Sequence, residues 1–265
     1  MPVSTGVTSF VPSIWSNELI IDFEGQAIIN QITFPVPMTN RGTYIINRFG
    51  KVAVADYTGE VEYGDLSTVS IECKCDQEKY FAFAVADVTK AQVAGDLRQP
   101  AIHQASYSMA KAVDDHAIAK VLADGKVHTE TKALTKAYEL YETVVDLNMK
   151  LNKKDVPQGD RIILMSYAEL ALLQKDADFK ANVHRNNMEN GMEVFMLNGV
   201  TILPTNRVAD GTIIALHKSA LAYAVQVDSI ESMRLESTFA DGIRGLMTFG
   251  VTVVRPEAIE VVKAE

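Results

Sequence analysis

Cysteine is almost missing from this chain of 265 residues, which has only Cys73 and Cys75. Two residues apart in a strand-like run, they point the same way, as neighbouring free thiols. They make no disulfide framework, and without a second cysteine or histidine cluster they do not read as half of a metal site. A reduced, cytoplasmic compartment fits them. Nor is there a run of about 18 apolar residues, of the kind that crosses a bilayer as a helix. The start, Met-Pro-Val-Ser-Thr-Gly-Val-Thr, has neither the basic nor the apolar segment of a signal peptide. Positive charge is in deficit, with 25 Lys and Arg against 34 Asp and Glu and a net charge of −9. That argues against a conventional nucleic-acid binder, which needs a basic surface to displace counterions. It leaves room for a protein that encloses nucleic acid without gripping it.

The signatures of catalysis are missing too. No GxGxxG, Walker loop, GxSxG or HExxH occurs. The five histidines, at 103, 116, 128, 184 and 217, are scattered, and none has a metal partner three or four residues on. Asp114-Asp115-His116 has the residue types of an acid–base site. Adjacent aspartates on a helix point about 100° apart, however, so they form no paired-carboxylate site, and a solvated face is the better account. His184-Arg185-Asn186-Asn187 reads as a polar loop that could meet an anion, although such loops are usually only solvated, and Asn206-Arg207 is similar. No constellation reads as an active site, and the expectation is no enzyme, no metal and no cofactor.

What is present is an ordinary core-forming composition, 48% hydrophobic and 22% charged, enough for one large domain or two modest ones. The chain is organised around one long helix. Asp96 followed by Gln99 is a capping pair that starts it, and Pro100 falls in about the first turn, where proline is tolerated. Ile102, Ala105, Met109, Ala112 and Val113 then recur at helical spacing. Beyond Val113 the stripe drifts: His116 and Lys120 take its line, while Ala117, Ile118, Val121 and Leu122 cover another side. Such a helix touches different partners at its two ends. Asp124-Gly125 stops it, leaving a rod of about 40 Å at about 1.5 Å per residue.

Before the helix, residues 1–40 read as an extended arm with a short amphipathic helix around Phe10, Ile14, Trp15, Leu19, Ile20 and Phe23. The arm either packs back on its own domain or lies across a neighbour. From Thr43 to Thr89 the pattern is strand-like: Thr43–Arg48, Lys51–Val54, Thr68–Cys75 and Tyr80–Val85, with turns at Asp56–Gly59 and Glu62–Asp65. With few large apolar residues between Tyr57 and Leu66, this hairpin needs something outside itself to lie on. After the helix comes a second one over Leu134–Leu151. An α/β alternation follows: strand Arg161–Met165, helix Ser166–Asp176, strand Val200–Leu203, strand Gly211–Leu216, and a helical turn His217–Leu221. Strands at Ser232–Glu236 and Gly245–Val254 and an apolar tail strand finish the chain.

This succession of arm, hairpin, long helix, α/β module and strand pair resembles the major capsid proteins of tailed bacteriophages with the HK97-like fold, an α+β class. The stretches that carry the likeness are Lys79-Tyr-Phe-Ala-Phe-Ala-Val-Ala-Asp-Val88, Pro157-Gln-Gly-Asp-Arg-Ile-Ile-Leu164, Asn198-Gly-Val-Thr-Ile-Leu-Pro-Thr-Asn206 and Phe249-Gly-Val-Thr-Val-Val-Arg-Pro-Glu-Ala258. The likeness covers essentially the whole chain, and it is the full set in order that carries it. It implies an N-terminal arm (1–40), an E-loop hairpin (41–90) over an adjacent subunit, and a peripheral domain with a spine helix (91–125) and strands (229–254). The axial domain would take 126–228 and the tail 255–265. Asp241-Gly242 would be the hairpin tip at the local three-fold. The intersubunit residues implied are Trp15, Phe23, Lys51, Tyr57, Glu60, Tyr63, Asp241 and Arg244.

The implied partners are other copies of the chain in pentamers and hexamers, double-stranded DNA enclosed without specificity, and no membrane. A separate scaffolding protein, a portal and a maturation protease are further partners that the likeness brings in. Some family members cross-link a loop lysine to an asparagine of the peripheral domain. Lys51 is available here, but Asp241 stands where the asparagine is sought, so no covalent shell is expected. No long helical segment precedes the arm, so a fused scaffold is not expected either. The rival readings are an encapsulin-type compartment shell of the same fold, a small α/β enzyme with a hairpin lid, and a tail or connector component that forms rings.

Overall fold

Proline at the third position and a run of good helix formers behind it produce the element on which the others are hung. The computed structural model describes residues 27–35, 43–49, 56, 68–86, 98–189, 192–235 and 239–265. In chain order these hold α1 (Ile29–Ile32), β1 (Phe34–Pro35), β2 (Thr43–Phe49), β3 (Thr68–Lys74), β4 (Gln77–Ala86) and the long α2 (Arg98–Ala123). Next come β5 (His128–Lys132), α3 (Ala137–Lys153), β6 (Arg161–Met165), α4 (Tyr167–Leu173), α5 (Ala177–Asn182), β7 (His184–Glu189) and β8 (Met192–Leu197). The chain closes with β9 (Val200–Pro204), β10 (Thr212–His217), β11 (Leu221–Arg234), β12 (Ala240–Val253) and β13 (Ile259–Ala264). Asp96 of the expected capping pair, the Lys51–Val54 strand, the turns around Tyr57 and Tyr63, and the helix around Trp15 lie outside the described residues.

Two sheets share one core. The first, ordered β1-β11-β12-β4, is antiparallel except for the short β1–β11 pairing. The second is seven-stranded, β5-β13-β10-β6-β9-β8-β7, with β13–β5 and β6–β9 parallel. β6 and β10 are buried along their whole length, as the uninterrupted apolar runs Ile-Ile-Leu-Met and Ile-Ile-Ala-Leu require of central strands. Helix α2 buries Ala105, Met109, Ala110, Val113, Ala117, Ile118 and Val121 in that core, together with Ile29 and Ile32 of α1. Its buried face drifts as the sequence implies, with Lys120 exposed and Ile118 and Val121 taking over.

Several elements differ from expectation. β11 and β12 pair over 14 residues each, with a bulge between Val227 and Ser229, longer than the strands Ser232–Glu236 and Gly245–Val254 read from the sequence. Gly242, Gly245 and Gly250 lower the strand signal of β12, and only cross-strand pairing makes it continuous. His184–Glu189 is a strand rather than a polar loop, paired to β8 at the end of the sheet, where hydrophilic side chains are tolerated. β5, His-Thr-Glu-Thr-Lys, is a polar strand at the opposite edge. The tail strand is inside the sheet, between β5 and β10.

Turn chemistry follows local rules. Asn198 (φ 51°) and Gly199 (φ 78°) both take positive φ between β8 and β9, the two-residue turn that matches strand twist. Helix α3 ends on Asp155 at φ 57°, with Val156 N–H donating to the Leu151 carbonyl at 3.1 Å.

Candidate functional site

Helix α2 carries a carboxylate where an apolar stripe should continue. Asp114 lies between Ala110, Val113, Ala117 and Ile118 and is 3% exposed. Its Oδ1 accepts the Ile29 N–H at 2.9 Å and its Oδ2 the Ile28 N–H at 3.2 Å. Helix α1 has no side-chain cap of its own, because Ile28 occupies the capping position. Asp114 supplies that cap from another helix, satisfying donors that burial would otherwise orphan. Burial pushes the Asp114 carboxyl up to about 6, against the opposing pull of the two N–H groups and of Arg207. The solvated-face expectation therefore fails for Asp114 and holds for Asp115, which is exposed.

Arg207, expected in a solvated loop, is docked. It leaves the β9–β10 loop and comes to 3.7 Å from Asp115 through Nε, with its guanidinium over the Tyr107 ring at 5.9 Å. Its side chain is only 15% exposed. Three parts of the molecule thus meet on α2: the root of the N-terminal segment, the α/β module and the helix itself.

The β2–β3 hairpin meets the body close by. It pairs from Thr43↔Lys74 to Phe49↔Thr68, and its stem packs Tyr44, Ile46, Ile71 and the buried Cys73 against Ala222, Ala224 and Val254. Arg48 forms an ion pair with Glu257. The crossing point is Gly250 on β12: a methyl group there would overlap the Lys74 carbonyl and stand 2.9 Å from the Cα of Cys75. His116 lies edge-on to Phe249 with centroids 5.5 Å apart, its Nε2 buried without a hydrogen bond, and burial lowers its pKa.

Of the residues expected at subunit contacts, Trp15, Phe23, Lys51, Tyr57, Glu60 and Tyr63 lie outside the described residues. Asp241 and Arg244 are brought together on β12, ion-paired across the ladder to Arg234 at 3.0 Å and Glu231 respectively. Asp241 and Gly242 are paired strand residues, opposite Arg234 and Met233; the turn itself falls beyond them, with Phe239 84% exposed. Around them the outer sheet face is open: Tyr80, Met233 and Leu246 are exposed, and Ala82, Ala84 and Gly242 line shallow apolar grooves.

His217 and His128 have structural partners. His217 accepts the Ser219 N–H at 3.1 Å and caps the turn Lys218–Ala220. His128 stands 2.8 Å from the buried Glu260, which Lys154 also meets at 2.5 Å. Glu130–Lys150 and Lys132–Asp146 (2.9 Å) continue this line of ion pairs from β5 to α3. Among the described residues no cluster of three His, Cys, Asp or Glu could hold a metal. None of the described helices is long and apolar enough to cross a membrane.

Sequence reasoning missed Asp114, Arg207 and Arg161. The signal for Asp114 was available, since apolar residues occupy positions i−4, i−1, i+3, i+4 and i+7 around it. Arg161 is 2% exposed, and among the described residues no ion pair joins it to a carboxylate. Its donors go to the Pro157 carbonyl at 2.8 Å, the Val156 carbonyl, and the side chain and carbonyl of Asn148.

The family model described as phage capsid protein matches residues 77–263. A solved chain from Mycobacterium phage Che8 is 24% identical, covering 89% of this chain and 91% of that one, with a TM-score of 0.69. The capsid of cyanophage P-SCSP1u is 12% identical, covering 90% of this chain and 88% of that one, with a TM-score of 0.74. A virus-like particle from Pyrococcus furiosus is 12% identical, covering 96% and 100% respectively, with a TM-score of 0.66. No curated protein matches the sequence.

Proposed function

Since this chain belongs to the phage capsid protein family and has the HK97-like fold, we propose that copies of it close into pentamers and hexamers of an icosahedral head shell around double-stranded DNA. In this reading its work is structural, with no catalytic step. Residues 1–40 form an arm and 41–90 an E-loop laid on a neighbour. The peripheral domain takes 91–125 and 229–254, and the axial domain 126–228 and 255–265. Trp15, Phe23, Lys51, Tyr57, Glu60, Tyr63, Asp241 and Arg244 lie at contacts between subunits. The chain is made in the host cytoplasm and ends in the virion; scaffolding protein, portal and maturation protease act as separate partners.

The observation that carries this reading is the open outer face of the β4–β12–β11 sheet. Tyr80 is 80% exposed there, opposite Leu246, with Met233 farther along the same face. Exposed apolar side chains flanking the Arg244–Glu231 ion pair, on a chain with net charge −9, suit a surface completed by association. An acidic wall also suits a container whose DNA must not adsorb to it.

Expression of the chain alone, followed by size exclusion and electron microscopy, tests the proposal. Closed shells are expected, and they should separate into single chains on a denaturing gel because no cross-link joins them. Protein that stays monomeric over a wide range of salt and concentration overturns it. The likeness to a virus-like particle keeps a compartment shell as the second reading; enclosed protein cargo instead of DNA would favour it.

A further inference from the structure

Two points of different kinds hold the β2–β3 hairpin to its own body. At the inner end the Lys74–Cys75 backbone crosses β12 at Gly250, where even a methyl group has no room. From there Tyr44, Ile46 and Arg48 alternate onto the face turned to the body, paired with Cys73, Ile71 and Val69. Burial on that face falls with distance: Cys73 is fully buried, Ile71 half-buried and Val69 56% exposed. Apolar packing has therefore run out where the strands reach Arg48 and Val69. There Arg48 reaches the body instead, its Nη1 donating to Glu257 Oε2 at 3.3 Å and its Nη2 to Oε1. Two guanidinium nitrogens on two carboxylate oxygens fix a direction as well as a distance.

The anchor beneath Arg48 is firm. Glu257 sits in the one-turn helix Pro256–Ala258, closed by the Ala258 N–H on the Arg255 carbonyl at 3.0 Å, with Ala258 buried. The N–H groups of Val254 and Arg255 both donate to the Ala220 carbonyl, at 2.8 and 3.2 Å. This turn is where β12 hands over to β13, so the outer support of the hairpin stands on the junction of the two sheets.

We propose that the Arg48–Glu257 pair is a salt-sensitive strut that sets the angle at which the β2–β3 hairpin leaves its own body. Without it the hairpin is a two-stranded ribbon fixed at one end, and such ribbons are marginal by themselves. The crossing at Gly250 stops the ribbon sliding, and the strut stops it rocking. Both side chains are partly exposed, 34% for Arg48 and 41% for Glu257, so salt reaches the pair and screens it. The strut is a property of the single chain and stands apart from the shell reading; in a shell it would aim the part of the hairpin that meets a neighbour.

The Cys73 thiol reports the separation of hairpin from body, because it is buried against Ala222, Ala224 and Val254. Its rate of reaction with N-ethylmaleimide in the full chain follows the fraction of time the hairpin is lifted. Tandem mass spectrometry counts it apart from Cys75, the unfolded chain supplies the intrinsic rate, and wild type and variants are compared in the same assembly state. At low salt, Arg48→Glu and Glu257→Arg should each raise the Cys73 rate roughly three- to fivefold, and the double reversal should return it to within about twofold of wild type. Going from about 0.05 M to about 1 M salt should speed the wild type about threefold and slow both single reversals, where like charges face each other. Single reversals that leave the rate unchanged overturn the strut, as does a double reversal as fast as the faster single. Hydrogen exchange in β10 should stay level throughout; a rise in step with the Cys73 rate means that the pair stabilises the whole fold, and this too overturns the strut. If a reversal variant does not fold, the wild-type salt series decides alone, and a flat rate overturns it. Electron microscopy of the same samples reads assembly separately. Shells whose Cys73 rate ignores the reversals defeat the strut only, whereas the full response in protein that forms no shells upholds the strut and counts against the capsid reading.

Discussion

At the scale of the residue, the ionisable groups that matter are the ones withdrawn from water. Arg161 spends its guanidinium on carbonyls at the end of α3 and the turn behind it. Burial without a carboxylate pulls its pKa below the usual arginine value. Arg161→Met keeps the bulk and orphans those carbonyls, so chemical denaturation should show a loss of roughly 2–4 kcal/mol. Asp114 behaves oppositely in sign. Its folded pKa is raised from about 4 to about 6, so the stability it contributes is full below pH 4 and is lost as the pH rises through about 6. Denaturation midpoints measured from pH 4 to pH 7 should record a decline of at most about 3 kcal/mol from this group, and Asp114→Asn should flatten that part of the profile. Neither residue was assigned its role from the sequence. Asp114 borders Asp115, and the pair was read as one solvated face although apolar residues flank Asp114 at helical spacing. Arg161 opens an apolar strand, where a charge normally marks the solvent end.

At the scale of the element, what could be read was whatever depends on local periodicity. The long helix, the second helix, Arg161–Met165, Val200–Pro204, Thr212–His217 and the tail strand all announce themselves by spacing or by apolar runs. The β11–β12 hairpin does not, because glycines dilute β12 and its strand character arises from pairing on both sides, to β11 and β4. Gly250 is the sharpest case. It looks like a weakness in a strand, and it is where the Lys74–Cys75 backbone passes within contact distance of β12. Gly250→Ala should push the Lys74–Cys75 segment off the sheet at a cost of about 1–3 kcal/mol or more. Proteolytic nicking of the β2–β3 hairpin should accelerate in that variant, whereas exchange in β10 should not change.

At the scale of the whole molecule, the order of elements was legible where single sites were not. The likeness to capsid proteins rested on the succession of parts, and the family match and the shared fold agree with it. The surface that would meet a second copy was harder to see. Tyr80 and Leu246 read as ordinary alternation in their strands, and only their exposure among the described residues gives them meaning. Replacing both, Tyr80→Glu with Leu246→Glu, removes that apolar face without touching the core. Subunit denaturation should then move by less than about 1 kcal/mol, while light scattering should show particle formation falling at least tenfold.

The β11–β12 hairpin leaves the seven-stranded sheet after β10 and returns just before β13, two strands that are themselves neighbours. Its feet touch, with Val254 N–H donating to the Ala220 carbonyl at 2.8 Å and Leu216 pairing with Ile259 just inside. The register in which β10 meets β13 therefore does not depend on how far the excursion travels beyond the part that packs into the shared core through Leu221, Tyr223, Met247, Phe249 and Val251. The hairpin could be trimmed back to that part, or exchanged beyond it for one of another length, and the module would still receive both strands in the same register. Reach and framework can be varied separately, so particle dimensions could change by editing one stretch of chain and leaving the rest alone.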